Sequence, residues 1–362
     1  MQFVDLKAQY DAYQAEIDAA IKEVTASAQF VNGPQVQELE EALAGFVGVE
    51  HAVACASGTD ALQLALMVFG VGPGDEVITT PFTFIATAET IALAGARPVF
   101  VDIEEQTYNL DPKALEAAIT KSTKAIIAVD LYGHPAVYAD IEKLAAKHGL
   151  KLIEDAAQSL GAARLGRKCG SFGELAATSF FPAKPLGCYG DGGMLFTADA
   201  EVAEKLRCLR NHGQRQRYYH EMIGCNSRLD TMQAAILLAK LPHFEAEINQ
   251  RIAVADLYSS ALSGHFITPQ VEVGCVSVFA QYSLRSQKRE PVVAALQAAG
   301  IPVAIHYPVP LHLQPAFAYL GYKVGDFPVS EKIAAEIFSL PMHPFLTTIE
   351  QDLVIATLLK EV

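Results

Sequence analysis

The part of the sequence that decides the fold begins at residues 51–60, HAVACASGTD, where a short apolar strand-like run meets a stretch with helical periodicity. This unit recurs as far as residue 153. The predicted strands are His51–Cys55, Glu76–Thr79, Pro98–Val101, Thr123–Val129 and Lys151–Ile153. The predicted helices between them are Asp60–Phe69, Phe84–Ala94, Asp111–Ile119 and Tyr138–His148. Alternation at this spacing predicts right-handed crossovers and an α/β fold with a mostly parallel sheet covered by helices.

The regions on either side of this unit differ from it. Helical periodicity precedes it at Tyr10–Ala28 and Pro34–Gly48. From Glu245 onward the pattern is α+β. Its predicted elements are a long helix over Leu241–Ser263, a strand over Val276–Leu284, and helices over Glu290–Ala299 and Glu350–Leu359. We therefore expect a large domain of residues 1–244 and a small C-terminal domain of residues 245–362.

The composition is that of a folded, intracellular protein. Hydrophobic residues make up 51% of the 362 and charged residues 19%, which excludes intrinsic disorder. No apolar run approaches about 18 residues, and the N-terminus has no basic segment followed by an apolar one, so neither a membrane span nor a signal peptide is expected. Six scattered cysteines without a C-x-x-C pair predict reduced thiols in the cytoplasm and no metal site.

The net charge of −14 argues against nucleic acid or an anionic membrane as a partner. An anionic substrate would need a local group of cations. The stretch from Arg207 to His220 has four arginines and no acidic residue, namely Arg207, Arg210, Arg215 and Arg217. This stretch is either a solvated basic face or a funnel for anions, and the sequence leaves both readings open.

A candidate anion site lies at Ala56-Ser57-Gly58-Thr59-Asp60, between a predicted strand and a predicted helix. Free N–H groups at the start of a helix, with two hydroxyl groups beside them, can bind a phosphate. The alternative is an ordinary helix N-cap formed by Ser57 or Thr59.

Two further segments contain candidate catalytic groups. The apolar strand in KLIEDAAQS, residues 151–159, ends in Asp155 at the sheet edge where α/β proteins bind ligands. A carboxylate there could keep the pyridine nitrogen of a cofactor protonated, or it could be a structural acid. Lys184 follows in the apolar stretch TSFFPAKPLG, residues 178–187, and Gly190-Asp191-Gly192-Gly193 comes soon after. Desolvation would favour its neutral amine and Schiff-base chemistry, although a lone lysine is usually just solvated.

Other motifs do not hold. Gly190-Asp191-Gly192 lacks the third glycine of a dinucleotide fingerprint, and no phosphate-binding loop ending in Gly-Lys-Ser/Thr occurs. His220-Glu221 lacks the second histidine of a zinc protease.

Taken together, Ser57-Gly58-Thr59, residues 154–158 (EDAAQ), residues 179–184 (SFFPAK) and residues 190–193 (GDGG) resemble the DegT/DnrJ/EryC1/StrS family of sugar aminotransferases. The resemblance runs from Phe3-Val4-Asp5-Leu6 to residues 339–344, SLPMHP. It implies a fold-type I aminotransferase with a mostly parallel seven-stranded sheet. It also implies a homodimer in which each active site is completed by the neighbouring subunit.

The resemblance also implies how pyridoxal 5′-phosphate would be held. Lys184 would bind the cofactor covalently and shuttle the proton, Asp155 would pair with the pyridine nitrogen, and Gln158 would lie near the ring hydroxyl. The remaining contacts would be Phe84 on the ring face, with Gly58, Thr59, Ser179 and Asn226 of the partner subunit at the phosphate. Family members with histidine in place of this lysine are sugar dehydratases, so the presence of Lys184 sets that activity aside.

Within the family, residues 187–193 (GCYGDGG), 226–231 (NSRLDT) and 304–308 (AIHYP) resemble those of enzymes that aminate UDP-2-acetamido-2-deoxy-3-oxo-glucuronate for bacterial polysaccharides such as O-antigen, with L-glutamate as donor. In those relatives the residues matching Arg228, His306 and Tyr307 reach the substrate from the partner subunit. A uronate carboxylate and a diphosphate need cations, and arginine offers a planar bidentate fork. For His306 and Tyr307 the alternative is a turn packed by prolines.

Two other functions remain open. One is an aminotransferase for a dTDP-linked 3- or 4-keto-6-deoxy sugar, which has no carboxylate to bind. The other is a regulator that binds the cofactor without catalysis. Lys184, Asp155 and Gln158 are all present, which argues against the regulator.

Overall fold

The computed structural model describes residues 1–361 and has a three-layer α/β architecture. The strands are β1 (His51–Cys55), β2 (Glu76–Thr79), β3 (Arg97–Phe100), β4 (Thr123–Val129), β5 (Lys151–Asp155), β6 (Ala163–Arg164), β7 (Arg167–Lys168), β8 (Leu175–Ser179), β9 (Gly193–Thr197), β10 (Gln214–Gln216), β11 (Tyr219–His220), β12 (Cys275–Val276), β13 (Tyr282–Arg285) and β14 (Ile337–Leu340). The helices are α1 (Leu6–Ser27), α2 (Pro34–Val47), α3 (Gly58–Val68), α4 (Ala86–Leu93), α5 (Pro112–Ala118), α6 (Tyr138–His148), α7 (Ala200–Leu209), α8 (Thr231–Lys240), α9 (Phe244–Leu262), α10 (Arg289–Ala298), α11 (Pro328–Glu336) and α12 (Thr348–Leu358).

The main sheet has seven strands in the order β1-β9-β8-β5-β4-β2-β3. Strand β9 runs antiparallel to both of its neighbours, and the other pairs are parallel. This confirms the predicted mostly parallel α/β sheet. The sequence predicted neither β8 nor β9 as a strand. In β8, Leu175-Ala176-Ala177-Thr178-Ser179 consists mainly of small residues with weak strand propensity.

The sheet is buried on both faces. On β4, Ile126 belongs to one apolar cluster and Ile127 to another, and on β5 Leu152 and Ile153 are divided in the same way. Successive side chains of a strand point to opposite faces, so this division means that helices cover both sides of the sheet. Continuous apolar runs such as Ala125–Val129 are the sequence signal of such double burial.

The C-terminal region has its own apolar cluster, in which α9, α10 and α12 pack on the antiparallel pair β13–β14. This agrees with an α+β region after residue 244. The boundary between residues 1–244 and 245–362 remains a prediction, because α9 begins at Phe244 and packs on both clusters.

One predicted strand in this region is wrong in its extent. The expected run Val276–Leu284 is interrupted after β12 and resumes only at β13. Between them the chain bonds to the turn after β4, with Val278 N–H donating to Gly133 C=O and Ala280 N–H to Tyr132 C=O. Tertiary contacts therefore override the strand-like sequence.

Within residues 1–361, the helices are all too short or too polar to span a lipid bilayer.

Candidate active site

A cavity of about 500 Å³ lies at the carboxyl ends of β4, β5 and β8. Open α/β sheets bind their ligands at this edge. The predicted site residues that line it are Gly58, Thr59, Phe84, Asp155, Gln158, Ser179, Lys184, His306 and Tyr307. Two others, Asn226 and Arg228, lie outside it.

The first turn of α3 faces this cavity. Ser57 caps the helix, accepting a hydrogen bond of 3.0 Å from Asp60 N–H on its hydroxyl oxygen. The N–H groups of Gly58 and Thr59 find no acceptor in the described part of the chain. The capping interpretation is therefore right for Ser57, and it leaves two amides free to bind an anion.

Gly58 brings this helix start against the end of β8. A Cβ atom at Gly58 would lie 2.6 Å from the Ser179 Cβ, closer than two such atoms can approach. A larger residue would push the helix start away from Ser179. Glycine is thus required here for close contact.

Asp155 lies at the floor of the cavity and is only 5% exposed. Its Oδ2 accepts a hydrogen bond of 2.8 Å from the Thr87 hydroxyl, and its Oδ1 accepts one of 3.2 Å from Ala157 N–H. Burial raises the pKa of Asp155, while these donors and the charge of Lys184 lower it. The carboxylate is therefore oriented, and within residues 1–361 no ion pair within 4.0 Å neutralises it.

Lys184 lies in the tight loop after β8, where its N–H donates to Phe181 C=O at 2.8 Å. Its side chain lines the cavity, and the surrounding protein atoms lower the pKa of the amine to about 8, opposed by Asp155. A substantial neutral fraction near pH 8 makes this amine a nucleophile and a base.

Gln158 is fixed at both ends of its amide. Its Oε1 accepts a hydrogen bond of 2.7 Å from Tyr132 N–H, and its Nε2 donates one of 3.2 Å to the Tyr307 hydroxyl. The Tyr132 hydroxyl in turn donates to the His306 carbonyl. Gln158 therefore holds the His306-Tyr307 turn at the cavity.

This arrangement corrects one expectation. The sequence predicted that His306 and Tyr307 reach the substrate from a partner subunit, but both line the cavity that contains Lys184 of the same chain. Burial lowers the pKa of His306, and the charge of Lys184 lowers it further. The hydrogen bond from Gln158 and the contact with Tyr132 are the physical reason, because both anchor this turn within its own subunit.

Phe84 lines the cavity with 53% of its surface exposed, and its ring centroid is 6.3 Å from that of Tyr307. An aromatic side chain left this open beside a cavity suits a flat ligand that would cover it.

Asn226 and Arg228 are positioned differently. Asn226 is exposed, and Arg228 donates a hydrogen bond of 2.8 Å from Nη1 to Asn211 Oδ1. Neither residue reaches the cavity of its own chain. Their supply to a neighbouring subunit remains a prediction.

The basic stretch near residue 210 is largely neutralised. Arg210 pairs with Glu40 at 2.5 Å and Arg215 with Glu221 at 3.0 Å. Arg207 also pairs with an acid, Glu204. This pairing argues against a funnel of free cations, and the mostly buried Arg210 is structural because it also donates to the Ala54 carbonyl.

Sequence reasoning missed several residues that line the cavity, namely Thr83, Thr87, Asp191 and Gln281. Thr87 has the clearest role, since it donates to Asp155. One signal could have identified Thr87: it is a hydroxyl residue in the first turn of a helix that begins beside a predicted site residue, Phe84.

The comparison with known proteins gives a consistent result. A family model described as the DegT/DnrJ/EryC1/StrS aminotransferase family matches residues 11–359. A UDP-2-acetamido-2-deoxy-3-oxo-D-glucuronate aminotransferase from Pseudomonas aeruginosa is 53% identical, covering 99% of both chains. A UDP-N-acetyl-3-dehydro-alpha-D-glucosamine 3-aminotransferase from Acidithiobacillus ferrooxidans is 48% identical over 99% of this chain and 96% of its own. A crystal structure of an aminotransferase of this family from Brucella abortus superimposes with a TM-score of 0.97 at 48% identity, covering 100% of this chain and 99% of the other.

Proposed function

This chain belongs to the DegT/DnrJ/EryC1/StrS aminotransferase family, and we propose that it transfers an amino group from L-glutamate to C3 of UDP-2-acetamido-2-deoxy-3-oxo-glucuronate. It is a pyridoxal-phosphate-dependent sugar aminotransferase. The products of the proposed reaction are the UDP-linked 3-amino sugar and 2-oxoglutarate. Two relatives support the choice of carbon and nucleotide, because their names give a UDP-linked sugar with a 3-oxo or 3-dehydro group as the substrate of an aminotransferase.

The cavity fits pyridoxal 5′-phosphate at each of its functional parts. The two free amides of Gly58 and Thr59, with Ser179 held close, suit the phosphate. The buried and oriented carboxylate of Asp155 suits a protonated ring nitrogen, and the open ring of Phe84 suits the flat face. When bound, the cofactor supplies an electron sink and carries the amino group between the two substrates.

The observation that carries this proposal is the pairing of Lys184 and Asp155 in one cavity. Lys184 Nζ, with its pKa lowered to about 8, would hold the cofactor covalently and would take up and return the proton at the reacting carbon. Asp155 would hold a positive charge at the ring nitrogen. Gln158 positions the Tyr307 hydroxyl and would lie near the ring hydroxyl of the cofactor.

A shared active site is supported by the surface around Asn226 and Arg228. Phe30 C=O accepts a hydrogen bond from Thr231 N–H, so the segment containing Phe30 and Val31 lies beside residues 226–231. Apolar side chains are unusually open in this region and on the nearby hairpin, namely Phe30, Val31, Tyr218, Tyr219 and Ile223. We propose that a second copy of the chain covers this surface in a homodimer.

In that dimer Arg228 and Asn226 of the partner subunit would complete each cavity. Asn226 would bind the cofactor phosphate, and Arg228 would bind the uronate carboxylate with its bidentate fork. His306 and Tyr307 would contact the substrate from the subunit that holds Lys184.

We also propose that the reaction takes place in the cytoplasm and serves a bacterial polysaccharide such as O-antigen. All six cysteines are unpaired, which supports a reducing compartment. The resemblance to enzymes of bacterial polysaccharide synthesis supports this role.

Turnover is the direct test. The purified enzyme with pyridoxal phosphate, L-glutamate and the UDP-linked 3-keto uronate should form 2-oxoglutarate and the 3-amino sugar in equal amounts. Formation of 2-oxoglutarate without an aminated sugar would contradict the acceptor. A bound cofactor with no reaction with any amino donor would favour a regulator instead.

A further inference from the structure

Two carboxylic acids that the proposed mechanism does not use lie behind the cavity. Asp130 directly follows β4, Glu154 is in β5, and both side chains are completely buried. Their oxygens lie within 4.8 Å of one another. In the part of the chain that the structure describes, neither acid forms an ion pair with lysine, arginine or histidine within 4.0 Å.

Hydrogen-bond donors surround Asp130. Its Oδ1 accepts bonds of 2.8 Å from Ala136 N–H and 2.9 Å from the Tyr138 hydroxyl, and its Oδ2 accepts one of 2.8 Å from the Ser159 hydroxyl. Three donors aimed at one carboxylate stabilise its ionised form.

Glu154 has two donors of its own, Gly170 N–H at 2.7 Å and Phe172 N–H at 2.8 Å, one on each oxygen. The Cys169 thiol is also within 4.8 Å of both acids. Acid and thiol ligands are common at metal sites, but here five hydrogen-bond donors point at the two acids. That arrangement stabilises a buried negative charge on the acids themselves.

Two buried carboxylates this close, with no cation beside them, cannot both be ionised. Burial and the charge of Asp130 raise the pKa of Glu154 well above its usual range, which favours its protonated form. We propose that Asp130 and Glu154 form an acid pair that shares one proton and carries one negative charge, with Asp130 acting as a positioning residue for Gln158 and Asp155.

The link to the cavity runs through short connections. Asp130 N–H donates to Asp155 C=O at 3.1 Å, and Ser159, which donates to Asp130, directly follows Gln158. Asp130 also precedes the turn in which Tyr132 N–H holds Gln158 Oε1. Moving Asp130 would therefore displace both residues that flank the cofactor ring.

The pair also acts through its charge. The negative charge of Asp130 raises the pKa of Asp155, and the same field favours a proton on the ring nitrogen. This part of the inference rests on the proposed pairing of Asp155 with that nitrogen. The other titratable groups facing the pair are Tyr138, Cys169 and Cys275; burial raises the pKa of all three, so they stay neutral at pH 8.

Infrared spectroscopy of the holoenzyme at pH 8 tests the shared proton. The wild type should show the carbonyl band of a protonated carboxyl group, and this band should vanish in both Glu154→Gln and Asp130→Asn. In each variant the amide N–H replaces the shared proton, and the remaining acid ionises. A wild type without the band, or a band that survives in Asp130→Asn, would overturn the pair.

The ring nitrogen tests the charge. With ¹⁵N-labelled pyridoxal phosphate, the titration midpoint of the ring nitrogen should stay near that of the wild type in the two single variants, which each keep one negative charge. It should fall by on the order of one pH unit in the double variant, which keeps none. An unchanged midpoint in the folded double variant would overturn the electrostatic role.

Ser159→Ala provides a milder test of positioning, which holds even if the double variant does not fold. Losing one donor to Asp130 should weaken the binding of pyridoxal phosphate severalfold, with Ser159→Thr as the control that keeps the hydroxyl. Equal affinity in both variants would contradict the positioning role.

Borohydride labelling of Lys184 in the same holoenzyme tests the proposed function separately. Labelling of Lys184 without the infrared band would overturn the acid pair alone.

Discussion

Thr87 and Asp155 are joined by a hydrogen bond of 2.8 Å, from the hydroxyl in the first turn of α4 to the carboxylate at the end of β5. The Thr83 hydroxyl, 3.1 Å from that of Thr87, extends the network. The bond fixes one oxygen of Asp155 through the protein's own contacts. A carboxylate oriented in advance needs no reorganisation when it meets a positive charge.

Replacing the charge of Asp155 should therefore matter more than replacing its shape. Asp155→Asn keeps the size and a hydrogen bond from Thr87, but it removes the ion opposite the ring nitrogen. We expect a rate loss of several orders of magnitude, corresponding to about 3–5 kcal/mol for a buried charge left unpaired. Steady-state kcat measures this loss, with Thr87→Ser as a control that keeps both the ion and the donor. Near-normal activity of Asp155→Asn would make the acid structural.

The lysine that binds the cofactor can be identified by comparing Lys184 with Lys240, a second buried lysine. Lys184 and Lys240 both have a pKa lowered to about 8 by burial, but Lys240 donates to the Gly187 carbonyl and does not line the cavity. Borohydride reduction of the yellow holoenzyme should abolish the colour and label Lys184 and not Lys240, as peptide mapping would show. Lys184→Ala should lose turnover and keep its fold. Labelling at Lys240 would mean that low pKa alone, and not the cavity, selects the amine.

Without the cofactor, the burial of the Lys184 amine should lower the free energy of unfolding of the enzyme. Its pKa falls from 10.5 to about 8 on folding, so between these values the unfolded chain binds a proton that the folded chain has released. Stability of the apo-enzyme should therefore rise with pH across this window. Lys184→Met should be more stable than wild type at pH 7, by on the order of 2–3 kcal/mol after allowing for partial exposure. Urea unfolding at pH 7 and pH 10 measures both proteins, and an advantage that does not shrink at pH 10 would contradict the shift.

The subunit that supplies each residue can be tested by mixing inactive variants. Lys184→Ala mixed with Arg228→Ala should recover partial activity, because a heterodimer contains one site with both residues intact if Arg228 crosses the interface. Lys184→Ala mixed with His306→Ala should recover none, because these two residues line the same cavity. Confirmed subunit exchange with no recovery in the first mixture would refute the sharing of Arg228.

The sequence predicted the layout of the main sheet well, because alternating apolar strands and helices have few other ways to fold. It also located Asp155 and Lys184, since strand ends and apolar lysines mark this sheet edge. It missed β8, whose residues are mostly small, and also β9. It misjudged the strand before β13, where contacts with Gly133 and Tyr132 break the run. The sequence could not show that His306 and Tyr307 lie beside Lys184 of their own chain. The hydrogen bond from Gln158 to Tyr307 that holds them there joins residues 149 positions apart, and no local sequence pattern predicts such a contact.

We propose that the choice of substrate depends on Arg228. A guanidinium that binds a uronate carboxylate is left unpaired when the sugar has a methyl group at that position. We expect this to cost on the order of 2–4 kcal/mol, or roughly thirty- to a thousand-fold in kcat/KM. If Arg228 binds the carboxylate, Arg228→Ala should remove most of this preference. If it binds the diphosphate common to both substrates, the variant should lower kcat/KM equally for both.

The most direct measurement is kcat/KM of the wild-type enzyme, with L-glutamate, for the UDP-linked 3-keto uronate and for a dTDP-linked 3-keto-6-deoxy sugar. We predict amination of both, with the uronate preferred by at least about thirtyfold. Equal or better use of the deoxy sugar would contradict the proposed substrate. Absence of amination with either sugar would contradict the proposed reaction itself.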